Sequence, residues 1–179
     1  MRSPSDNETD RRRNAMRSIA VLAALGLIAA CSSSEDKGPT QRDQIGQVWK
    51  YEGGEGGKPK VAYIGSANAV QTMTAADTFG VLLVQPMQEG GADVTVKLVG
   101  APFTCDLSDC KVTAVTEDGK THEWKGRMTE NKDGIEVLPA AGAYDAIKDS
   151  RTIKVNLVVG PKDKVFPFQF NVAGLDLKG

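Results

Sequence analysis

Beyond residue 45 the apolar side chains recur every second position. Val94, Val96 and Leu98 alternate with Asp93, Thr95 and Lys97. Ile153, Val155, Leu157 and Val159 form a second row, with Lys154 and Asn156 on its other face, and Phe166, Phe168, Phe170 and Val172 form a third. Successive side chains of a strand point to opposite faces, so rows of this period mark strands with one buried face. Shorter strands are predicted over Gln47–Glu52, Lys60–Ile64, Val81–Gln85, Cys110–Thr116, Thr121–Arg127 and Ile135–Leu138. Glu89-Gly90-Gly91, Glu117-Asp118-Gly119 and Lys132-Asp133-Gly134 supply hairpin turns, because Gly tolerates positive φ. Many short strands with turns at this spacing predict an all-β fold, an antiparallel β-sandwich. Only Ala140–Lys148 reads as a helix. The phenylalanine row is expected in the core rather than as a ligand platform. Pro167 within it cannot donate to a ladder and predicts an edge strand or a bulge.

The start of the chain reads differently. Ile19–Ala30, "IAVLAALGLIAA", is twelve residues without charge, too short for a bilayer-spanning helix, which takes about 20. It suits the apolar core of a secretory signal, with Arg17 and Arg11-Arg12-Arg13 as its positive flank. Acidic Asp6, Glu8 and Asp10 are unusual in such a flank, and a start at Met16 would remove them. The run ends in Leu27-Ile28-Ala29-Ala30-Cys31, which resembles the lipobox of bacterial lipoproteins. That resemblance implies acylation of the Cys31 thiol, with Cys31 as the mature N-terminus. Ser32 after the cysteine implies, by the same resemblance, sorting to the outer membrane. Residues 1–30 are thus expected to be a lipoprotein signal peptide, 31–45 a lipidated flexible tether, and 46–179 the β domain. The stretch "SSSEDKGPTQRDQ" has too few apolar groups to fold on its own.

Composition narrows the partners. Taking the five Arg and three acidic residues of 1–30 from the chain's 22 Lys+Arg and 23 Asp+Glu leaves 17 and 20, a balance of −3. Both signs are interspersed, as on an ordinary solvated surface, and no basic stripe is left for nucleic acid. The glycine stretch Gly53-Gly54-Glu55-Gly56-Gly57-Lys58-Pro59 fails as a nucleotide-binding phosphate loop. That motif needs Gly where Glu52 stands and Ser or Thr where Pro59 stands.

With Cys31 assigned to lipid, Cys105 and Cys110 form an even pair. A structural zinc needs four ligands, and the chain offers one histidine, His122, and no further cysteine. In an oxidising envelope the expected state is a Cys105–Cys110 disulfide pinning the connection between two strands. A redox dithiol is the alternative, although such pairs normally have two intervening residues rather than four. Asp106 and Asp109 flank this loop and read as solvated carboxylates, since Ca²⁺ takes six to eight oxygens. His122 lies in "KTHEWKG" with no Gly-x-Ser-x-Gly elbow to partner it. The sequence assigns no catalytic residue, metal ligand or cofactor and names no ligand-binding residue.

From Ala62 onward the pattern Ser66-Ala67-Asn68, Cys105 to Cys110 and Phe168-Gln169-Phe170-Asn171-Val172-Ala173-Gly174-Leu175 resembles a group of secreted bacterial proteins of unassigned function. The resemblance spans residues 46–177. It departs at Thr116-Glu117-Asp118, where the group often has Arg-Phe-Asp, and at Asp176, where it often has Trp. It implies export, the sandwich and the disulfide, and brings no catalytic residues. The expectation is a membrane-anchored envelope lipoprotein, a non-enzymatic module for a protein or cell-envelope component, with no nucleic-acid or nucleotide partner. The alternative is a cell-wall-acting hydrolase or an inhibitor of one.

Overall fold

The computed structural model describes residues 39–57, 60–105, 109–159 and 164–177. Among these residues nine strands run in chain order: β1 (Lys50–Glu52), β2 (Val61–Gly65), β3 (Phe79–Pro86), β4 (Ala92–Val99), β5 (Cys110–Thr116), β6 (Thr121–Met128), β7 (Gly134–Leu138), β8 (Thr152–Val159) and β9 (Lys164–Asn171). Among the described residues two α-helices, α1 (Gln41–Ile45) and α2 (Ala140–Lys148), and a short 3-10 turn at Glu55–Gly57 accompany them. Every strand pairing is antiparallel, in the order β1-β2-β3-β4-β7-β6-β5-β8-β9. The three glycine turns close the β3–β4, β5–β6 and β6–β7 hairpins; Gly90, Gly91 and Gly119 take positive φ, whereas in the third turn Lys132 does so (φ 57°) and Gly134 opens β7.

The two layers of the sandwich-like fold come from one continuous sheet wound over on itself, not closed into a barrel. Strands β3 and β9 stand far apart in the sheet order yet touch through their inner faces. A Cβ on Gly80 would lie 2.9 Å from Phe170 Cζ and 3.3 Å from Phe168 Cγ. Glycine at this position lets the phenylalanine row of β9 cross β3. Phe168 and Phe170 are fully buried and Phe166 partly so. They join Ile64, Leu82, Val96, Val112, Ile153 and Leu157 in one core, where α2 adds Ala143, Ala146 and Ile147. Burying each large apolar side chain contributes roughly 1.5–3 kcal/mol.

Strand β9 is the sheet edge that Pro167 predicts, and it is covered. In the loop after β2, Ala67 N–H donates to Gln169 O (2.7 Å). Asn68 Oδ1 accepts from Gln169 N–H (2.7 Å), and Asn68 Nδ2 donates to Pro167 O (2.8 Å). The Asn68 amide thus stands in for a missing strand. Ser66, wholly buried, holds this loop by accepting from Gly80 N–H and donating to Asn68 O.

The end of the expected tether is not free chain. Residues 41–45 form α1, capped by Thr40 and Asp43 in a reciprocal capping box. Arg42 Nη2 donates to Ala67 O (2.7 Å), Nη1 lies 3.4 Å from Asp77 Oδ1, and Gly65 N–H donates to Gly46 O (2.9 Å). An arginine anchored on a loop carbonyl and a backbone bond at Gly46 hold this helix; none of its residues is fully buried, and Ile45 is half-buried beside Gly65. The apolar periodicity that marks α2 is therefore absent from α1.

Candidate functional site

The β5–β6 hairpin and the last turns of α2 face each other across a cleft of about 500 Å³. Thr116, Glu117, Asp118, Lys120 and His122 line it from the hairpin, and Gly142, Asp145, Ala146, Asp149 and Ser150 from the helix side. Alternation along β6 explains the placement of His122. Trp124 and Gly126 point inward, so His122, two residues earlier, takes the same face where the sheet opens toward α2. Helical spacing does the same for Asp145 and Asp149, four residues apart and hence on one face.

The hairpin's polar groups hold the turn together. Asp118 Oδ1 accepts from Thr116 Oγ1 (2.5 Å) and from Lys120 N–H (3.1 Å). The Thr116 hydroxyl, followed by the Lys120 amide, lowers the Asp118 carboxyl below its usual range. His122 lies against Trp124, ring centroids 5.5 Å apart and tilted by 35°. Four carboxylates face a single lysine, so the cleft favours ligands that bring positive charge or hydrogen-bond donors. Among the described residues no group of three or more His, Cys, Asp or Glu could hold a metal ion.

Cys105 and Cys110 are joined in a disulfide, Cα atoms 5.0 Å apart. It ties the connection between β4 and β5 to the first residue of β5. Cys110 packs, fully buried, opposite Gly126, where a Cβ would strike Ile135 and approach Cys110 Cβ at 2.9 Å. Asp109 is exposed and lies with Lys111, Thr113, Glu123, Trp124 and Lys125 around a smaller depression of about 350 Å³. Gly53, Gly54 and Glu55–Gly57 belong to the connection between β1 and β2. Cys31, Asp106, Lys58 and Pro59 lie outside the described residues.

His122 stands out in the sequence, whereas the groups across from it do not. The four-residue spacing of Asp145 and Asp149 is visible in the chain. Their meeting with a hairpin more than twenty residues earlier depends on how α2 packs against the sheet, which no local pattern encodes. No protein-family model, curated protein or solved structure matches this chain.

Proposed function

We propose that the chain is an envelope lipoprotein, anchored through Cys31 and facing the periplasm from the outer membrane, whose β domain binds a protein or cell-envelope component without catalysing a reaction. The anchor is supported by the apolar run ending at Leu27-Ile28-Ala29-Ala30-Cys31 and the polar tract behind it. The resemblance to secreted bacterial proteins agrees with export. The observation that carries the binding reading is the α2–hairpin cleft, open and concave, whose hairpin hydroxyl and carboxylate are engaged in the turn and whose imidazole rests on Trp124. Such a wall presents charge and shape to a partner, with rigid elements behind both sides.

A photo-crosslinker placed at Lys120, on the rim, tests this in intact envelopes. It should capture one defined partner that the same probe at Glu89, in the β3–β4 turn, does not. Capture of the same species from both positions would contradict the cleft as the binding site.

A second reading, a cell-wall-acting hydrolase or an inhibitor of one, is favoured by one observation: the sole histidine shares its cleft with Glu117, Asp145, Asp149 and Ser150. A general base works within about 2.6–3.2 Å of the proton it takes, and the ring contact of His122 is with Trp124. His122→Gln separates the two readings. Partner capture within a few-fold of wild type supports the binding module, whereas a hydrolytic activity abolished by this change in a folded protein supports the enzyme.

A further inference from the structure

The two most exposed large apolar side chains among the described residues, Met73 (84%) and Val48 (67%), both lie on segments bonded to the last residues of the expected tether or directly following them. Val48 stands between Gly46, which accepts from Gly65 N–H, and Trp49, whose indole donates to Val172 O (2.9 Å). Met73 belongs to the loop gripped by Arg42, which reaches Ala67 at its start and Asp77 at its end. From Ser66 to Ala76 this loop reads "SANAVQTMTAA", without one charge, in a chain where 25% of residues are charged.

The exposure of Met73 is built in. Val70 and Thr78 exchange backbone hydrogen bonds of 2.8 and 2.9 Å, and Thr72 N–H donates to Ala75 O. The Thr72 and Thr78 hydroxyls lie 3.0 Å apart, and Thr74 Oγ1 donates to Gly100 O (2.9 Å). These bonds fix the turn on both sides of Met73 and leave its thioether chain in solvent. The one carboxylate at the end of the loop, Asp77, is paired with Arg42.

We propose that this end of the domain rests on a lipid surface, with Met73 and Val48 in the interfacial layer and the uncharged loop lying along it. The inference rests on the acylation of Cys31. Docking of α1 leaves residues 32–39 between Cys31 and the N-cap Thr40, a reach of at most about 30 Å. That is close to the length of the eight-residue strand β3, about 27 Å. Strand β3 leads away from this loop to the β3–β4 turn, so the leash lets the Met73 end reach the bilayer and sets the Glu89 turn about one strand length farther from the attachment. A thioether side chain on a charge-free loop suits the headgroup boundary, where apolar groups leave water and Thr and Gln still find hydrogen bonds.

The test uses the full-length acylated protein in vesicles of phosphatidylethanolamine and phosphatidylglycerol carrying brominated chains. Met73→Cys, Val48→Cys and Glu89→Cys each add one free thiol, since Cys31 is acylated and Cys105–Cys110 is paired, and each is labelled with an environment-sensitive fluorophore. Quenching several-fold greater at positions 73 and 48 than at 89 is expected. Arg42→Ala frees α1 and lengthens the leash from residues 32–39 to 32–45, which should lower quenching at position 73 roughly twofold while the protein stays bound. Equal quenching at 73 and 89 in bound protein overturns the inference and leaves the anchor standing. Shielding of Met73 in native envelopes but not in vesicles also overturns it, identifying a protein as the occupant. A protein that carries no lipid at Cys31 and does not bind the vesicles overturns both the inference and the lipoprotein reading.

Discussion

Asn68 shows how one side chain can finish a sheet. Its amide accepts from Gln169 N–H and donates to Pro167 O, occupying the backbone groups that β9 would otherwise offer to a neighbouring chain. Pro167 completes the device by having no N–H to leave open. Asn68→Ala should cost about 1 kcal/mol for these partly exposed bonds. Its signature is local: hydrogen exchange at the Gln169 amide should accelerate, while the Phe170 amide, which points toward β8, keeps its protection. Unchanged exchange at Gln169 would contradict the edge role. Exposed carboxylates tune stability in a second way. Hydrogen bonding and charge hold three of them below their ordinary value: Asp43 chiefly through Thr40, Asp118 through Thr116 and Asp133 through Lys97. A carboxyl whose pKa is lower in the folded than in the unfolded state stabilises the fold above its unfolded pKa, and that contribution is lost as pH falls through the folded one. The gap in urea midpoint between wild type and Asp133→Asn should therefore hold from pH 7 to 5 and close as pH drops below the model-compound value of 3.8. A gap that widens in acid would contradict the Lys97–Asp133 pairing.

Among the elements, the strands were the most legible in sequence, because each carries its own period and its own turn. Cys110–Thr116 and the helix Ala140–Lys148 fall where the pattern puts them. The first strand begins later than expected, at Lys50 rather than Gln47, because Gln47–Trp49 lead from α1 into the sheet and Trp49 is bonded to the C-terminal segment. Helix α1 escaped because a five-residue element held by a cap and one arginine has no apolar stripe. The winding of the sheet was equally hidden, since Gly80 gives no sign in the sequence of the phenylalanines that cross it. Gly80→Val tests that crossing. It should destabilise the domain by about 1–3 kcal/mol through overpacking against Phe168 and Phe170, seen as a lower denaturation midpoint. An unchanged midpoint would mean β3 and β9 do not meet there. The disulfide acts on the same scale, closing the connection into β5. Its reduction should remove about 2 kcal/mol on the loop-entropy argument and lower the melting temperature by roughly 4–8 °C. Two free thiols in the denatured, unreduced domain would contradict the bond itself.

At the scale of the molecule, one wound sheet carries two distinct surface features. The acidic cleft lies between α2 and the β5–β6 hairpin, and the uncharged Met73 loop lies beside the attachment of the tether. The cleft was half legible, through His122 alone, because its other wall arrives only when the helix packs. The proposed anchor rests on the sequence, on the change of character at Cys31, and both the proposed envelope function and the proposed lipid-facing end depend on it. Metabolic labelling with a fatty-acid analogue, read in wild type and Cys31→Ser side by side, is the most direct test. Wild type should incorporate the label and run as the processed form, while Cys31→Ser takes up none and accumulates as the larger precursor. Equal labelling of Cys31→Ser, with normal processing, would contradict the lipoprotein reading.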